Sequence, residues 1–200
     1  RGGGVVGQTF SVSVALGELV EWESIATQVS DWLPRGVQLD KVGLCGFAGR
    51  DWMLAWRRLR AGAPQEVAWV AAAYADAVAA GSPAVADVCG GAIAMGGAGL
   101  LVDTWCKRSA SLPESISLTE LARWRRDLRG AGLFLALAGR LEAESLPRLV
   151  DCGVDVIAVR SAACEEGDRR RPICRRRVRH LRDQLDRSVR MAPGRCASRG

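Results

Sequence analysis

Lysine is nearly absent from this 200-residue sequence, in which all but two of the 28 basic residues are arginines. The two exceptions are Lys41 and Lys107. Arginine keeps its charge and is a poor nucleophile, whereas a lysine that is buried or crowded by other cations can lose its proton. The two lysines are therefore candidates for chemistry, and chance survival in an arginine-rich composition is the alternative.

Long apolar runs and paired cysteines are also missing. No run of about 18 apolar residues occurs and no charged-then-apolar leader is seen, so we predict no membrane span. None of the seven cysteines forms a C-x-x-C pair, and the single histidine, His180, lies among arginines. These absences predict no metal site, no disulfide framework, and a reduced, cytoplasmic setting.

Six short apolar runs recur along the chain without strict polar alternation, which is typical of parallel strands buried on both faces. They cover residues 11–16, 38–44, 67–73, 99–102, 133–138 and 154–159. Helical patterns with capping residues separate them. We predict helices over 52–59, 84–95, 121–128, 145–152 and 172–189.

This alternation predicts a parallel α/β fold. No G-x-G-x-x-G follows the first strand, which weakens a dinucleotide-binding interpretation. A TIM-type (β/α)8 barrel uses roughly 31 residues per unit, and most runs recur near that period. We therefore predict a single barrel domain over residues 1–190 with about six of eight units, the two others being expected N-terminally. Residues 191–200 are predicted to be a polar, disordered tail.

Each of the six units places an ionisable residue at or just after its strand, where barrels assemble their active sites. These residues are Glu18, Lys41, Asp76, Asp103 with Lys107, Arg140 and Arg160. Their convergence predicts a charged pocket. A lysine amine can form an imine with a carbonyl, a second lysine nearby can lower its pKa, and carboxylates can move protons. A structural ion pair between Lys41 and Asp103 is the alternative.

The last two strand ends are suited to an anion. Small residues there allow the backbone to approach closely, and loops after the final barrel strands commonly bind phosphate. The candidate ligands are Gly139, Arg160, Ser161, Gly167, Asp168 and Arg169, although 167–169 can equally be a turn before the last helix. The arginine clusters at 169–171 and 175–177 lack interleaved aromatic residues, so we interpret them as a solvated helix face and predict no nucleic-acid partner.

Several motifs together resemble the (5-formylfuran-3-yl)methyl phosphate synthase family. They are K-V-G-L at 41–44, A-A-Y-A-D at 72–76, L-V-D-T at 101–104 with Lys107 four residues after the aspartate, A-L-A-G at 136–139, and D-V-I-A-V-R-S-A-A-C at 155–164 followed by G-D-R. The motifs occur in order, and the resemblance covers about residues 11–185.

The resemblance implies a lyase that condenses two molecules of glyceraldehyde 3-phosphate through a lysine imine, with loss of water and phosphate. That reaction serves methanofuran biosynthesis in methanogens and related one-carbon metabolism in bacteria. Lys41 matches the family's proton acceptor. Asp76, Asp103 and Lys107 match its other pocket residues and are taken as catalytic candidates, and 160–169 resembles its phosphate loop. No cofactor is implied. The partner is a small phosphorylated aldehyde, and a homo-oligomer is left open.

The sequence departs from the family pattern in one respect. The family's imine-forming lysine lies in an aspartate–valine–lysine strand, which nothing before Ser11 resembles. Alignment places the start of the chain near the family's third strand, in agreement with the count of units. Two alternatives therefore stay open: a non-catalytic barrel fragment that binds a partner or phosphate, and another Schiff-base aldolase that uses Lys107.

Overall fold

A computed structural model describes residues 13–106, 108 and 110–191. Within these ranges, six parallel strands form one sheet in the order of the chain, β1-β2-β3-β4-β5-β6. They are β1 (Ser13–Glu18), β2 (Leu39–Gly43), β3 (Ala68–Tyr74), β4 (Gly99–Asp103), β5 (Phe134–Leu137) and β6 (Val156–Ile157). The predicted α/β class with a parallel sheet is confirmed.

Helices connect successive strands. The α-helices are α1 (Val29–Trp32), α2 (Trp52–Ala61), α3 (Ala77–Ala80), α4 (Val85–Ala94), α5 (Leu112–Ser115), α6 (Leu118–Gly130), α7 (Leu146–Asp151) and α8 (Arg175–Met191). Short 3-10 helices lie at Leu19–Trp22, Ala26–Gln28, Ala143–Ser145, Ser161–Ala163 and Glu165–Gly167.

Two of the predicted helix starts have the expected caps. Asp51 accepts a hydrogen bond from the Leu54 amide at 3.0 Å, and Ser117 accepts one from the Glu120 amide at 3.2 Å within a capping box. The last helix begins three residues later than predicted, at Arg175. Residues 172–174 pair instead with the preceding loop, because Ile173 bridges Cys164 and the Cys174 amide donates to Ala163 at 2.9 Å.

The two faces of the sheet differ. Alternate strand residues pack into one large apolar core with the helices, which also contains Trp56 of α2, Val88 of α4 and Leu121 of α6. Its members in β2–β5 are Val42, Trp69, Ala71, Ala73, Leu100, Val102, Leu135 and Leu137. Successive side chains of a strand point to opposite faces. The intervening residues, among them Lys41, Tyr74 and Asp103, therefore lie on the opposite face, here called the inner face.

Strand β1 contains a bulge that reverses this alternation. Ala15 pairs with Lys41 and Glu18 with Gly43, so three steps along β1 match two along β2. Gly17 adopts a φ of 79° within the bulge, which glycine tolerates because it lacks a Cβ. Leu16 packs into the core with the helices, and Glu18 lies on the inner face with Tyr74.

Candidate active site

Strands β2 and β4 place Lys41 and Asp103 on the inner face. Lys41 lies in the middle of β2 and is half-buried, and Asp103 ends β4 as the register partner of Tyr74. No ion pair joins Lys41 to Asp103, both of which the structure describes. The structural ion pair considered as an alternative is therefore not formed.

Asp76 follows β3 and holds the loop after β4. Its carboxylate oxygens accept hydrogen bonds from the backbone amides of Trp105 at 2.6 Å and Cys106 at 2.8 Å. This loop leads directly to Lys107, which lies outside the described residues. Asp76 thus fixes the backbone at Trp105 and Cys106, a role that sequence reasoning did not distinguish from direct catalysis.

Four of the predicted anion ligands line one cavity of about 280 Å³ at the ends of β4–β6. They are Gly139, Arg160, Ser161 and Arg169, and Asp103 and Arg140 also border the cavity. Gly139 adopts a φ of 100°, and a Cβ there would lie 2.9 Å from Cγ2 of Thr104. A glycine is therefore needed for β5 to approach the end of β4 this closely.

Gly167 and Asp168 lie outside the lining of this cavity. The Asp168 carboxylate accepts from the Arg170 backbone amide at 3.0 Å and forms an ion pair with its guanidinium at 2.7 Å. These hydrogen bonds lower the pKa of Asp168 to about 2. The arrangement is that of a turn, which was the alternative interpretation of residues 167–169.

Sequence reasoning missed a contact between Glu18 and Tyr74. The Tyr74 hydroxyl donates to Oε1 of Glu18, whose Oε2 accepts from the Cys45 amide at 2.8 Å. Trp105 packs edge-on against Tyr74, with ring centroids 5.4 Å apart. The sequence showed Glu18 at a strand end and Tyr74 within A-A-Y-A-D, but 56 residues separate the two.

The described part of the chain contains no cluster of three or more His, Cys, Asp or Glu side chains suited to a metal ion. No helix in these ranges is both long and apolar enough to cross a membrane.

Comparison with known proteins identifies the family. A family model described as 4-HFC-P synthase matches residues 4–182. The chain belongs to the 4-HFC-P synthase family. It is 34% identical over 193 residues to the (5-formylfuran-3-yl)methyl phosphate synthase of Methanopyrus kandleri, covering 90% of this chain and 79% of that protein. The match to the synthase of Methanococcus maripaludis is 36% identical over 106 residues, which is 50% of this chain and 42% of that one.

Among solved structures, this member of the 4-HFC-P synthase family resembles mandelate oxidase, with a TM-score of 0.55 and 14% sequence identity. The match covers 90% of this chain and 66% of mandelate oxidase. At that identity the likeness concerns the fold alone. The predicted family is therefore confirmed by sequence comparison, with the structural comparison supporting the α/β architecture.

Proposed function

We propose that this protein is a lyase of the (5-formylfuran-3-yl)methyl phosphate synthase type. It condenses two molecules of glyceraldehyde 3-phosphate through a lysine imine, with loss of water and phosphate. The reaction serves methanofuran-type biosynthesis and one-carbon metabolism in the cytoplasm.

The position of Asp103 carries this proposal. Asp103 borders the arginine-lined cavity and is also the register partner of Tyr74 on the inner face, the face that carries Lys41. A phosphate held by Arg160, Ser161 and Arg169 would therefore place the rest of a three-carbon aldehyde among titratable side chains. Guanidinium groups suit phosphate because they form charge-assisted, bidentate hydrogen bonds.

We further propose that the six strands are part of a closed (β/α)8 barrel. The sequential strand order, the single direction and the burial of one alternating set of residues against helices support this architecture. In a doubly wound sheet the strand order would reverse and helices would cover both faces. The polar residues also lie at the C-terminal ends of the strands, where barrel enzymes have their active sites.

The proposed roles follow the family motifs. Lys41 is the proton acceptor, Asp103 assists proton transfer beside the phosphate cavity, and Asp76 with Lys107 completes the site. The family's imine-forming lysine belongs to an aspartate–valine–lysine sequence that these 200 residues do not contain. Within these residues an imine can therefore form only at Lys41 or Lys107, apart from the N-terminal amine.

Borohydride trapping tests the proposal. Glyceraldehyde 3-phosphate and borohydride are added to the 200-residue chain and, in parallel, to the product of the complete open reading frame that encodes it. Peptide mass spectrometry then locates the reduced adduct. Lys41→Ala, Lys107→Ala and the double variant are the matched controls, because the double variant of the 200-residue chain has no lysine side chain.

An adduct in either protein, together with formation of the furan aldehyde phosphate, is the expected result. An adduct lost only in Lys107→Ala, without furan product, would indicate a different Schiff-base aldolase. Saturable binding of triose phosphate without any adduct would contradict the lyase and leave a phosphate-binding barrel.

A further inference from the structure

Three strands contribute to one contact on the inner face, which we call the Glu18–Tyr74 pair. Glu18 ends β1, Tyr74 ends β3, and between them Gly43 ends β2. A Cβ at position 43 would overlap both the Glu18 carboxylate and the Tyr74 hydroxyl. The absence of a side chain at Gly43 therefore allows two residues on non-adjacent strands to meet across β2.

The pair leaves Tyr74 with a defined hydrogen-bonding pattern. Its hydroxyl proton is donated to Glu18, so the lone pairs of its oxygen are available as acceptors. Burial, the hydrogen bond to Glu18 and the charge of Asp103 all raise the pKa of Tyr74. The phenol thus stays neutral near pH 7. If its oxygen accepts a proton, its own hydroxyl proton must pass to Glu18 at the same time.

The pair lies next to the residues of the proposed reaction. Gly43 is two residues beyond Lys41 on β2 and on the same face, and Tyr74 is the register partner of Asp103. Tyr74 is 93% buried, while Trp105, packed against its ring, is 41% exposed at the edge of the site. The hydroxyl is therefore largely shielded from bulk water and lies near the other titratable groups.

We propose that Tyr74 is a further catalytic residue of this site and that Glu18 positions it and accepts its proton, forming a two-residue relay. The proposal rests on the lysine-imine reaction proposed above. In the first step the C2–H bond of the bound triose breaks, its electron pair forms a C1=C2 double bond, and the imine nitrogen takes the C1=N pair. The C2 proton moves to the Tyr74 oxygen while the hydroxyl proton of Tyr74 moves to Glu18.

The relay runs in reverse during dehydration. Glu18 returns its proton to Tyr74, and Tyr74 donates its proton to the hydroxyl that leaves. The C–O bond breaks with its electron pair on oxygen, and the group departs as water. The pair of the adjacent enamine C=C bond forms a new double bond to the carbon that loses the hydroxyl, while the nitrogen lone pair forms the C=N bond again. Condensation with loss of water requires removal of a proton from carbon and delivery of a proton to oxygen. A second proton carrier besides Lys41 can supply one of these two transfers.

Deuterium exchange at C2 tests the relay on the product of the complete open reading frame. Glyceraldehyde 3-phosphate is incubated with enzyme in D2O, and C2 exchange is compared with borohydride trapping in the same sample. Tyr74→Phe keeps the ring against Trp105 but removes the hydroxyl, and Glu18→Gln keeps an acceptor oxygen but removes the titratable group. We expect each to lower C2 exchange about 100-fold while the trapped adduct persists.

Matched variants separate chemistry from structure. Glu18→Asp retains a carboxylate and should recover part of the exchange, whereas Glu23→Gln, whose side chain pairs with Arg50 at the surface, should exchange at the unmodified rate. Gly43→Ala displaces both partners without removing either group and should lower exchange as well. It provides a second test if Tyr74→Phe fails to fold.

Tyr74 is the sole tyrosine in the sequence, so a 13Cζ-tyrosine label gives one NMR signal whose response to Glu18→Gln reports the hydrogen bond directly. Unmodified exchange rates in Tyr74→Phe and Glu18→Gln, with adduct still formed, would overturn the relay alone. Absence of adduct in the unmodified protein would refute the imine reaction and the relay with it.

Discussion

Asp76 and Trp105 are joined by a 2.6 Å hydrogen bond from the Trp105 backbone amide to the carboxylate, across the ends of two neighbouring strands. The Cys106 amide donates to the same carboxylate at 2.8 Å. Hydrogen bonds to a charged acceptor are stronger than neutral ones, and two on one side chain fix both the position and the direction of a loop. The loop after β4 is therefore held from β3.

Replacement of this anchor should loosen the loop that leads to Lys107. In Asp76→Asn one carboxylate oxygen becomes an amide NH2 group that faces a backbone N–H, and we expect a loss of about 1–3 kcal/mol in the free energy of unfolding. Chemical denaturation measures the loss, and amide hydrogen exchange at Trp105 and Cys106 should accelerate. Asp87→Asn, an exposed site on α4, is the control, and equal effects at the two sites would contradict the anchor.

The cavity at the ends of β4–β6 should bind phosphate through Arg160 and Arg169. Each substitution to alanine should weaken binding of inorganic phosphate about tenfold, because a charge-assisted contact is lost. Calorimetric or 31P NMR titration measures this affinity. Arg170→Ala is the matched control, since Arg170 follows Arg169 directly but pairs with Asp168 and does not line the cavity. An equal loss in the control would indicate only a nonspecific charge effect.

Gly139 should be sensitive to the addition of a single methyl group. Gly139→Ala combines an unfavourable φ of 100° with a Cβ only 2.9 Å from Thr104, and we expect it to cost about 2–3 kcal/mol and to weaken phosphate binding. Gly153→Ala has a φ of 73° and no atom within 4 Å of the added Cβ, so it should cost about 1 kcal/mol. Thermal and chemical denaturation compare the two. A similar loss of unfolding free energy in the two variants would show that Thr104 moves aside at little cost.

Asp40 should make stability depend on pH. It lies on β2 on the side of the helices and is fully buried. Burial raises its pKa from 3.8 to about 6. Between these two values the folded state binds the proton more tightly than the unfolded state, so stability falls as pH rises through this window.

Above pH 6 the folded state carries the cost of a buried charge, on the order of 1–3 kcal/mol. Asp40→Asn removes the titrating group, so the free energy of unfolding should become less dependent on pH between about 4 and 6. Urea denaturation at several pH values measures the slope. Asp31→Asn, at an exposed position on α1, should retain the original slope, and an unchanged slope in Asp40→Asn would refute this assignment.

Much of the fold could be predicted from sequence because its strands are short apolar runs between capped helices. Each of the six runs overlaps a strand of the structure, residues 11 and 12 of the first lying outside the described ranges. The convergence of Gly139, Arg160, Ser161 and Arg169 was also predictable, since loops after consecutive parallel strands open at the same edge. At Asp168, the ion pair with Arg170 favours the interpretation as a turn over the interpretation as a phosphate ligand.

The Glu18–Tyr74 pair could not be predicted in this way. Its hydrogen bond joins residues on strands separated by β2, and regular alternation would place Glu18 on the side of Leu16, among the helices. The contact depends on a register shift and on the absence of a side chain at Gly43, neither of which hydrophobic periodicity reveals. The burial of Asp40 was also not predicted, because a charged residue within an apolar run is normally expected to be exposed to solvent.

The bulge at Gly17 determines the face of the sheet on which the Glu18 carboxylate lies. Ala15 and Glu18 are three steps apart, and in a regular strand residues an odd number of steps apart point to opposite faces. Without the bulge, Glu18 would therefore point to the same side as Leu16. Its charge would then lie among leucine and tryptophan side chains, away from Tyr74. The bulge, and not only the identity of residue 18, thus determines whether β1 contributes an acidic group to the inner face.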